Sequence, residues 1–180
     1  MKELSLNILD IVENSVKAGA TLTEIRLTEE GDKLTLAIVD DGCGMTDEVV
    51  KSVIDPFYTT RTTRKVGMGV PLLKLEAEMT GGSLTIQSRA AAEHPEDHGT
   101  TVTAVFVKSH IDCPPLGDVV ATVVTLIQGH PDTDFLFLHR LEDREVSLDT
   151  RELRAVLEDV PLNTYEVLQW IEGSLQEQYS

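Results

Sequence analysis

Three short stretches, each at the edge of a regular pattern, constrain this chain more than anything else in it: Asp10 to Lys17, Asp40 to Met45, and Gly67 to Val70. Around the first, Leu4, Ile8, Ile11, Val12, Ser15 and Val16 recur at the three-four spacing of one buried helical stripe. Before the second, Lys33 to Val39 alternates as a strand does, after a turn at Glu30-Gly31-Asp32 and a shorter strand near Glu24 to Leu27. After the third, Leu72, Leu73, Leu75 and Met79 return to a helical pattern that Gly81-Gly82 ends. Helix, strands and helix with glycines at their junctions point to an α/β fold whose loops sit at strand and helix ends.

Those stretches carry a consistent chemistry. Asp10, Asn14 and Lys17 are spaced four and three residues apart, so they line a second face of the first helix, with Glu13 at its edge. An acid, an amide and a cation in one row suit a magnesium triphosphate. The amide oxygen can ligate Mg²⁺, the ammonium can meet a phosphate, and the acid can orient or deprotonate water. Without the other stretches, a solvated helix face would be the favoured account of this row.

Asp40 ends a strand, where its carboxylate can accept a hydrogen bond from the exocyclic amine of adenine. Gly42 and Gly44 let the backbone approach a ring, and Met45 can pack on its face. Guanine would set an oxygen acceptor against that carboxylate, so the arrangement selects adenine. The segment lacks the alternating oxygen ligands and distal glutamate of an EF-hand.

Gly67, Met68, Gly69 and Val70 precede the second helix, so their backbone N–H groups lie at its positive end, an anion site suited to phosphate. No Gly-Lys-Ser/Thr follows, as a Walker loop requires, and no strand immediately precedes, as a Rossmann fingerprint requires. Residues 56–65, Pro-Phe-Tyr-Thr-Thr-Arg-Thr-Thr-Arg-Lys, read as a mobile lid whose cations face phosphate; a solvated loop has the same composition.

Taken in order, these motifs resemble the GHKL superfamily of ATPases, which includes gyrase B, the heat-shock chaperone ATPases, sensor histidine kinases and MutL. Glu13-Asn14-Ser15 with Ala18-Gly19-Ala20 resembles the MutL helix, and Lys17 resembles the kinase lysine three residues after the asparagine. Asp40-x-Gly42-x-Gly44 is similar to the adenine box. Residues Phe57, Thr60 and Arg61, followed by Gly67-Met68-Gly69-Val70, resemble the phenylalanine box and lid glycines of histidine kinases. Gly82 to Ser88 and Gly99 to Val102 resemble the last two strands, with Thr100 where the family supports its adenine-binding aspartate. The likeness covers residues 1–108.

It implies a Bergerat-type ATP-binding fold, an α/β (α+β) two-layer sandwich with a mixed sheet covered by helices on one face. It further implies ATP and Mg²⁺ as cofactors, with Asn14 as the metal ligand, Asp40 as the adenine reader and Gly67 and Gly69 as the phosphate cradle. Catalysis falls to Asp10 and Glu13. Hydrolytic members carry glutamate four residues before the asparagine, and Asp10 is one methylene shorter, so hydrolysis is expected to be slow. Lys65-Val66 stands where many kinases have Gly-Thr, so a stiffer lid hinge is expected.

The helix begins within a few residues of Met1, so no phosphoacceptor histidine helix is expected before it. The histidines at 94, 98, 110, 130 and 139 lie in no long amphipathic helix. His94 and His98 fall in a polar loop where solvent exposure is the default and a metal site lacks sulfur ligands.

Residues 109–117, with Cys113-Pro114-Pro115-Leu116-Gly117, read as a linker, and 118–180 as a small α/β C-terminal extension of unknown role. Asp118 to Gln128 is an apolar helix or buried segment, too short to span a membrane. Phe135 to His139 and Glu145 to Leu148 read as strands. Thr150 caps a helix to about Glu158, and Asn163 or Thr164 starts a last one with Val167, Leu168, Ile171 and Leu175 on one face. This extension is near the lower bound for a core of its own, so it is expected to pack on the ATPase domain or on a partner.

The formal charge of −16 disfavours nucleic acid and anionic membrane as partners, since both are polyanions. Residues 108–180 carry 5 basic and 14 acidic groups, which suits solubility or a surface for a basic partner. Cys43 and Cys113 form no disulfide framework, and with no signal peptide or spanning stretch the expected location is cytoplasmic. Two readings stay open. One is a histidine kinase-like protein that transfers phosphate from Mg-ATP to a separate partner; the other is an ATP-dependent switch or slow ATPase without phosphotransfer. Both bind ATP and ADP and engage a partner protein, and a homodimer is compatible with either.

Overall fold

The computed structural model describes residues 3–54 and 69–180. Among these residues are six helices and six strands in the order α1 (Leu4–Lys17), β1 (Leu22–Glu30), β2 (Lys33–Asp40), α2 (Asp47–Ile54), α3 (Gly69–Met79), β3 (Ser83–Arg89), β4 (Gly99–Val107), α4 (Val119–Gly129), β5 (Asp134–Arg140), β6 (Glu145–Asp149), α5 (Thr150–Leu157) and α6 (Tyr165–Tyr179). The strands form one mixed sheet in the spatial order β3-β4-β2-β1-β5-β6. Every pairing is antiparallel except β1 with β5, where Leu22 to Thr28 run beside Asp134 to Arg140.

Alternation along each strand decides which face is buried. Ile25 and Leu27, Leu34, Leu36 and Ile38, Val102, Ala104 and Phe106, and Phe135 and Phe137 all turn inward. Buried residues of α1, α3, α4 and α6 join them in one core. Phe106, Phe135 and Phe137 are fully buried, each contributing roughly 2–3 kcal/mol of transfer free energy. The C-terminal strands thus continue the sheet begun at the N-terminus, and their phenylalanines share its core.

α1 is the element on which the site is built. No side chain caps its N-terminus; the N–H groups of Leu4 and Ser5 instead donate to the carbonyls of Pro115 and Leu116, both at 2.9 Å. Four amides at a helix start have no intrahelical partner, and here the 109–117 segment satisfies two of them. At the other end Gly19 takes φ +81° and Ala20 N–H donates to Ser15 O, a Schellman closure that accounts for Ala18-Gly19-Ala20. Gly81, at φ +89°, ends α3 in the same way, with Gly82 N–H on Ala77 O.

Several boundaries differ from the sequence reading. β1 runs over nine residues rather than four, because its partner β2 pairs with it from Thr23 to Glu30. α2 carries no stripe long enough to be read, having only Val53 fully buried. The cap of α5 is Asp149, whose carboxylate accepts from Arg151 N–H at 3.0 Å. Thr150 is turned inward instead, its hydroxyl accepting from Phe135 N–H and donating to Asp134 Oδ1, both at 2.9 Å. α6 starts after Thr164, with Val167, Ile171 and Leu175 buried and Leu168 partly so. Among the described residues no helix is long and apolar enough to cross a membrane.

Candidate functional site

The outward row of α1, the end of β2 and the start of α3 enclose a cavity of about 720 Å³. Asp10, Glu13, Asn14 and Lys17 line it from α1, Asp40, Gly44 and Met45 from the end of β2 and its loop, Gly69 and Val70 from α3, and Thr100 from β4. Its apolar surface comes from Ile11, Val53, Ile86 and Val102. Phe57, Thr60, Arg61, Gly67 and Met68 lie outside the described residues, as does the rest of the 56–65 segment.

Asp40 is held on both oxygens. Gly42 N–H donates to Oδ1 at 2.9 Å, and the buried Ser15 hydroxyl donates to Oδ2 at 2.7 Å. An ionised carboxylate has about four lone-pair directions, and the described residues occupy two of them. The neighbouring Asp41 does different work. Burial alone would raise its pKa, but hydrogen bonds from the Thr21 hydroxyl and the Leu22 and Thr21 amides hold it below the ordinary carboxylate value. It ties the start of β1 to the end of β2.

The glycine loop is fitted closely around that aspartate. A Cβ at Gly42 would stand 3.0 Å from Ala18 Cβ and O, and 3.1 Å from Asp40 Oδ1. Gly44 has φ +69°, and a Cβ there would fall 1.9 Å from Arg89 O. Cys43 N–H donates to Ala18 O at 2.9 Å, His98 Nδ1 meets Gly42 O at 2.5 Å, and Met45 N–H donates to Ser88 Oγ at 2.7 Å. Loop, helix end and β3 are thereby locked in one arrangement.

Thr100 faces Asp40 in the β2–β4 register, but its hydroxyl is 2.8 Å from Ser88 Oγ. Ser88 in turn holds the loop through Met45, so Thr100 acts on the loop, and the direct support of the carboxylate is Ser15. In the sequence Ser15 is legible as a polar residue on an otherwise apolar stripe and as the last residue of Glu13-Asn14-Ser15, and neither names Asp40 as its partner.

The two acids of α1 also differ. Asp10 is exposed and stands at the start of α3, where a Cβ on Gly69 would lie 3.4 Å from Asp10 Cβ. Glu13 Oε1 is 2.6 Å from His130 Nε2, which follows α4. A carboxylate can only accept, so the imidazole donates. Nothing in the sequence around His130 announces this contact, 117 residues away.

The donors that face the cavity from α1 are oxygens: the Asn14 amide and the carboxylates of Asp10 and Glu13. Among the described residues no cluster of three or more His, Cys, Asp or Glu side chains could hold a metal by itself. This set suits a hard cation that keeps waters and shares a ligand's oxygens, as Mg²⁺ does. The positive end of α3 closes the opposite wall.

Comparison with known proteins agrees with the architecture. The chain is 33% identical over 90 residues to the C4-dicarboxylate transport sensor protein DctS of Rhodobacter capsulatus, covering 46% of this chain and 13% of that protein. It is 28% identical over 102 residues to the heme sensor protein HssS of Staphylococcus saprophyticus, covering 55% and 21%. It thus spans about a fifth or less of the length of these relatives. The Aquifex aeolicus MutL ATPase domain, solved in complex with ADP, superposes with a TM-score of 0.53 at 15% identity, over 84% of this chain and 67% of that one. Likeness at that identity concerns the fold alone. Residues 2–110, more than half of the chain, match the family of histidine kinase-, DNA gyrase B- and HSP90-like ATPases, and the protein belongs to that family.

Proposed function

We propose that the cavity binds Mg-ATP and that residues 1–108 form a histidine kinase-like catalytic unit, which passes the γ-phosphate to a separate partner protein. The observation that carries this reading is the Asp40 carboxylate, fixed by Ser15 and Gly42 N–H on the cavity wall, where it can accept from an adenine amine. The walls around it match the rest of the ligand. Met45, Ile86 and Val102 offer an apolar bed for a base, and Asn14, Lys17 and the α3 N-terminus offer an amide, a cation and a helix dipole for phosphates.

Asn14 would hold Mg²⁺ through its amide oxygen. When bound, the ion supplies neutralisation of the charge on the phosphates. Lys17 contributes a further positive charge, and the N–H groups opening α3 orient the phosphate chain. Asp10, at the start of α3, is placed to hold a water or an acceptor hydroxyl. Its short side chain limits that reach, consistent with slow hydrolysis and with transfer to an acceptor brought by another protein. Of the five histidines, His98, His130 and His139 are engaged in side-chain hydrogen bonds and His110 Nδ1 accepts from Asp112 N–H, while His94 is exposed on its loop.

A nucleotide-dependent switch is the second reading. It is favoured by the reach of residues 118–180 to the cavity wall at Glu13, through which nucleotide occupancy could change the surface offered to a partner. Both readings suit a protein that acts in the cytoplasm.

Calorimetric titration with ADP and a non-hydrolysable ATP analogue, each with and without Mg²⁺, tests the site. Micromolar binding strengthened by Mg²⁺ is expected, and no binding would remove the proposal. Labelled ATP mixed with candidate partners separates the two readings, because only a kinase leaves a phosphoprotein.

A further inference from the structure

We propose that His130 is a positioning residue of the nucleotide site, holding the Glu13 carboxylate on the cavity wall so that the C-terminal segment is a working part of that site. The inference rests on the nucleotide-binding reading above and assigns a role to a residue outside the 2–110 family match.

Glu13 immediately precedes Asn14 on α1 and lines the same cavity. Its side chain is 38% exposed, so the protein around it leaves room for other rotamers. Three rotatable bonds would let it swing toward Asn14 and Lys17, where a carboxylate competes with phosphate for the cations gathered there. The cavity already presents Asp10, Glu13 and Asp40 against Lys17. The 2.6 Å bond from His130 Nε2 to Glu13 Oε1 holds one of these acids in a single arrangement on the wall.

The backbone that carries the imidazole is well anchored. His130 N–H donates to Leu126 O at 2.9 Å as the C-cap of α4, and His130 O accepts from Thr133 N–H at 3.2 Å. α4 is tied to α1 by the buried Thr122 hydroxyl, which donates to Ser5 O at 3.1 Å, and its own N-terminus is capped by Asp118 Oδ1, which accepts from Ala121 N–H at 2.9 Å. A donor carried on a fixed helix end and facing a flexible acceptor is the geometry of a side chain that orients another.

The test uses the full chain and four variants: His130→Ala, His130→Gln, Glu13→Gln and His130→Ala with Glu13→Gln. Affinity for the Mg-bound ATP analogue, affinity for adenosine, and melting temperature are measured for each. His130→Ala should weaken binding of the analogue about fivefold, the effect of one lost hydrogen bond, and leave adenosine binding unchanged. His130→Gln, whose amide still donates to Glu13, should recover to within about twofold. In the Glu13→Gln background the alanine substitution should have no further effect, since the charge to be restrained is gone. Equal affinities in His130→Ala and wild type would overturn the inference, as would parallel losses for adenosine and the analogue with a lowered melting temperature, which mark a structural role. Should His130→Ala not fold, His130→Gln is compared with His130→Asn, whose shorter amide does not reach Glu13, and equal affinities again overturn it. Failure of the wild-type protein to bind any adenine compound would instead overturn the functional reading itself, and this inference with it.

Discussion

Ser15 Oγ donates to Asp40 Oδ2 at 2.7 Å, joining the buried face of α1 to the end of β2 across 25 residues of chain. The bond orients one oxygen of the carboxylate, and Gly42 N–H orients the other. Ser15→Ala is expected to weaken adenine-nucleotide binding about five- to tenfold, since one oxygen loses its partner and its direction. Asp40→Asn should weaken it at least about a hundredfold, because the acceptor pair facing the amine is lost. Titration with ADP checks both; wild-type affinity in either variant would mean the base is read elsewhere.

Asn14→Ala should remove the gain in nucleotide affinity that Mg²⁺ confers, a loss of at least about tenfold or 1.4 kcal/mol, while metal-free binding of ADP changes little. The measurement is ADP titration with Mg²⁺ and with a chelator. A Mg²⁺ effect that survives the substitution would assign the metal to other oxygens.

Gly44 and Gly31 both have positive φ, +69° and +57°, but differ in space. A Cβ at Gly31 meets nothing within 4 Å, whereas one at Gly44 would lie 1.9 Å from the Arg89 carbonyl. Gly31→Ala should cost about 1 kcal/mol, the penalty of the left-handed conformation alone. Gly44→Ala should cost roughly 2–4 kcal/mol, because the backbone of β3 must also move. Urea unfolding of the two variants checks the order, and equal costs would show that the glycine loop and β3 separate easily.

Far from the cavity, buried His139 bridges Tyr179 and Glu29, with Nδ1 2.6 Å from the phenol oxygen and Nε2 2.5 Å from the carboxylate. Burial raises the pKa of Tyr179, with the Glu29 charge adding to it, so the phenol stays neutral beside the imidazole. Tyr179→Phe should cost about 1 kcal/mol and loosen the end of α6, as amide hydrogen exchange would report.

Burial opposes the ionisation of Glu29, but hydrogen bonds from His139 and Lys108 outweigh it and hold its pKa below the ordinary value. A depressed carboxylate pKa adds stability that is present in full above the unfolded value and is lost as pH falls through the folded one. Wild-type stability should therefore decline between about pH 5 and about pH 3 more steeply than that of Glu29→Gln. Identical slopes would mean that Glu29 is equally stabilised in the unfolded chain.

What the sequence by itself determined is the elements other than α2 and the chemistry of each short motif. The stripe of α1, the alternation of β2 and the positive φ of Gly44 are consequences of local geometry, because helix and strand periods and positive φ are properties of neighbouring residues. The row Asp10, Asn14 and Lys17 lines the cavity for the same reason. Only the tertiary structure decided that Ser15 rather than Thr100 supports the Asp40 carboxylate, since β-register places Thr100 beside Asp40 while its hydroxyl is taken by Ser88. It also decided that Pro115 and Leu116 cap α1, that β5 lies parallel against β1, and that His130 meets Glu13. Each joins residues about a hundred or more positions apart, and such contacts follow from the closing of one sheet and core, leaving no periodic trace along the chain.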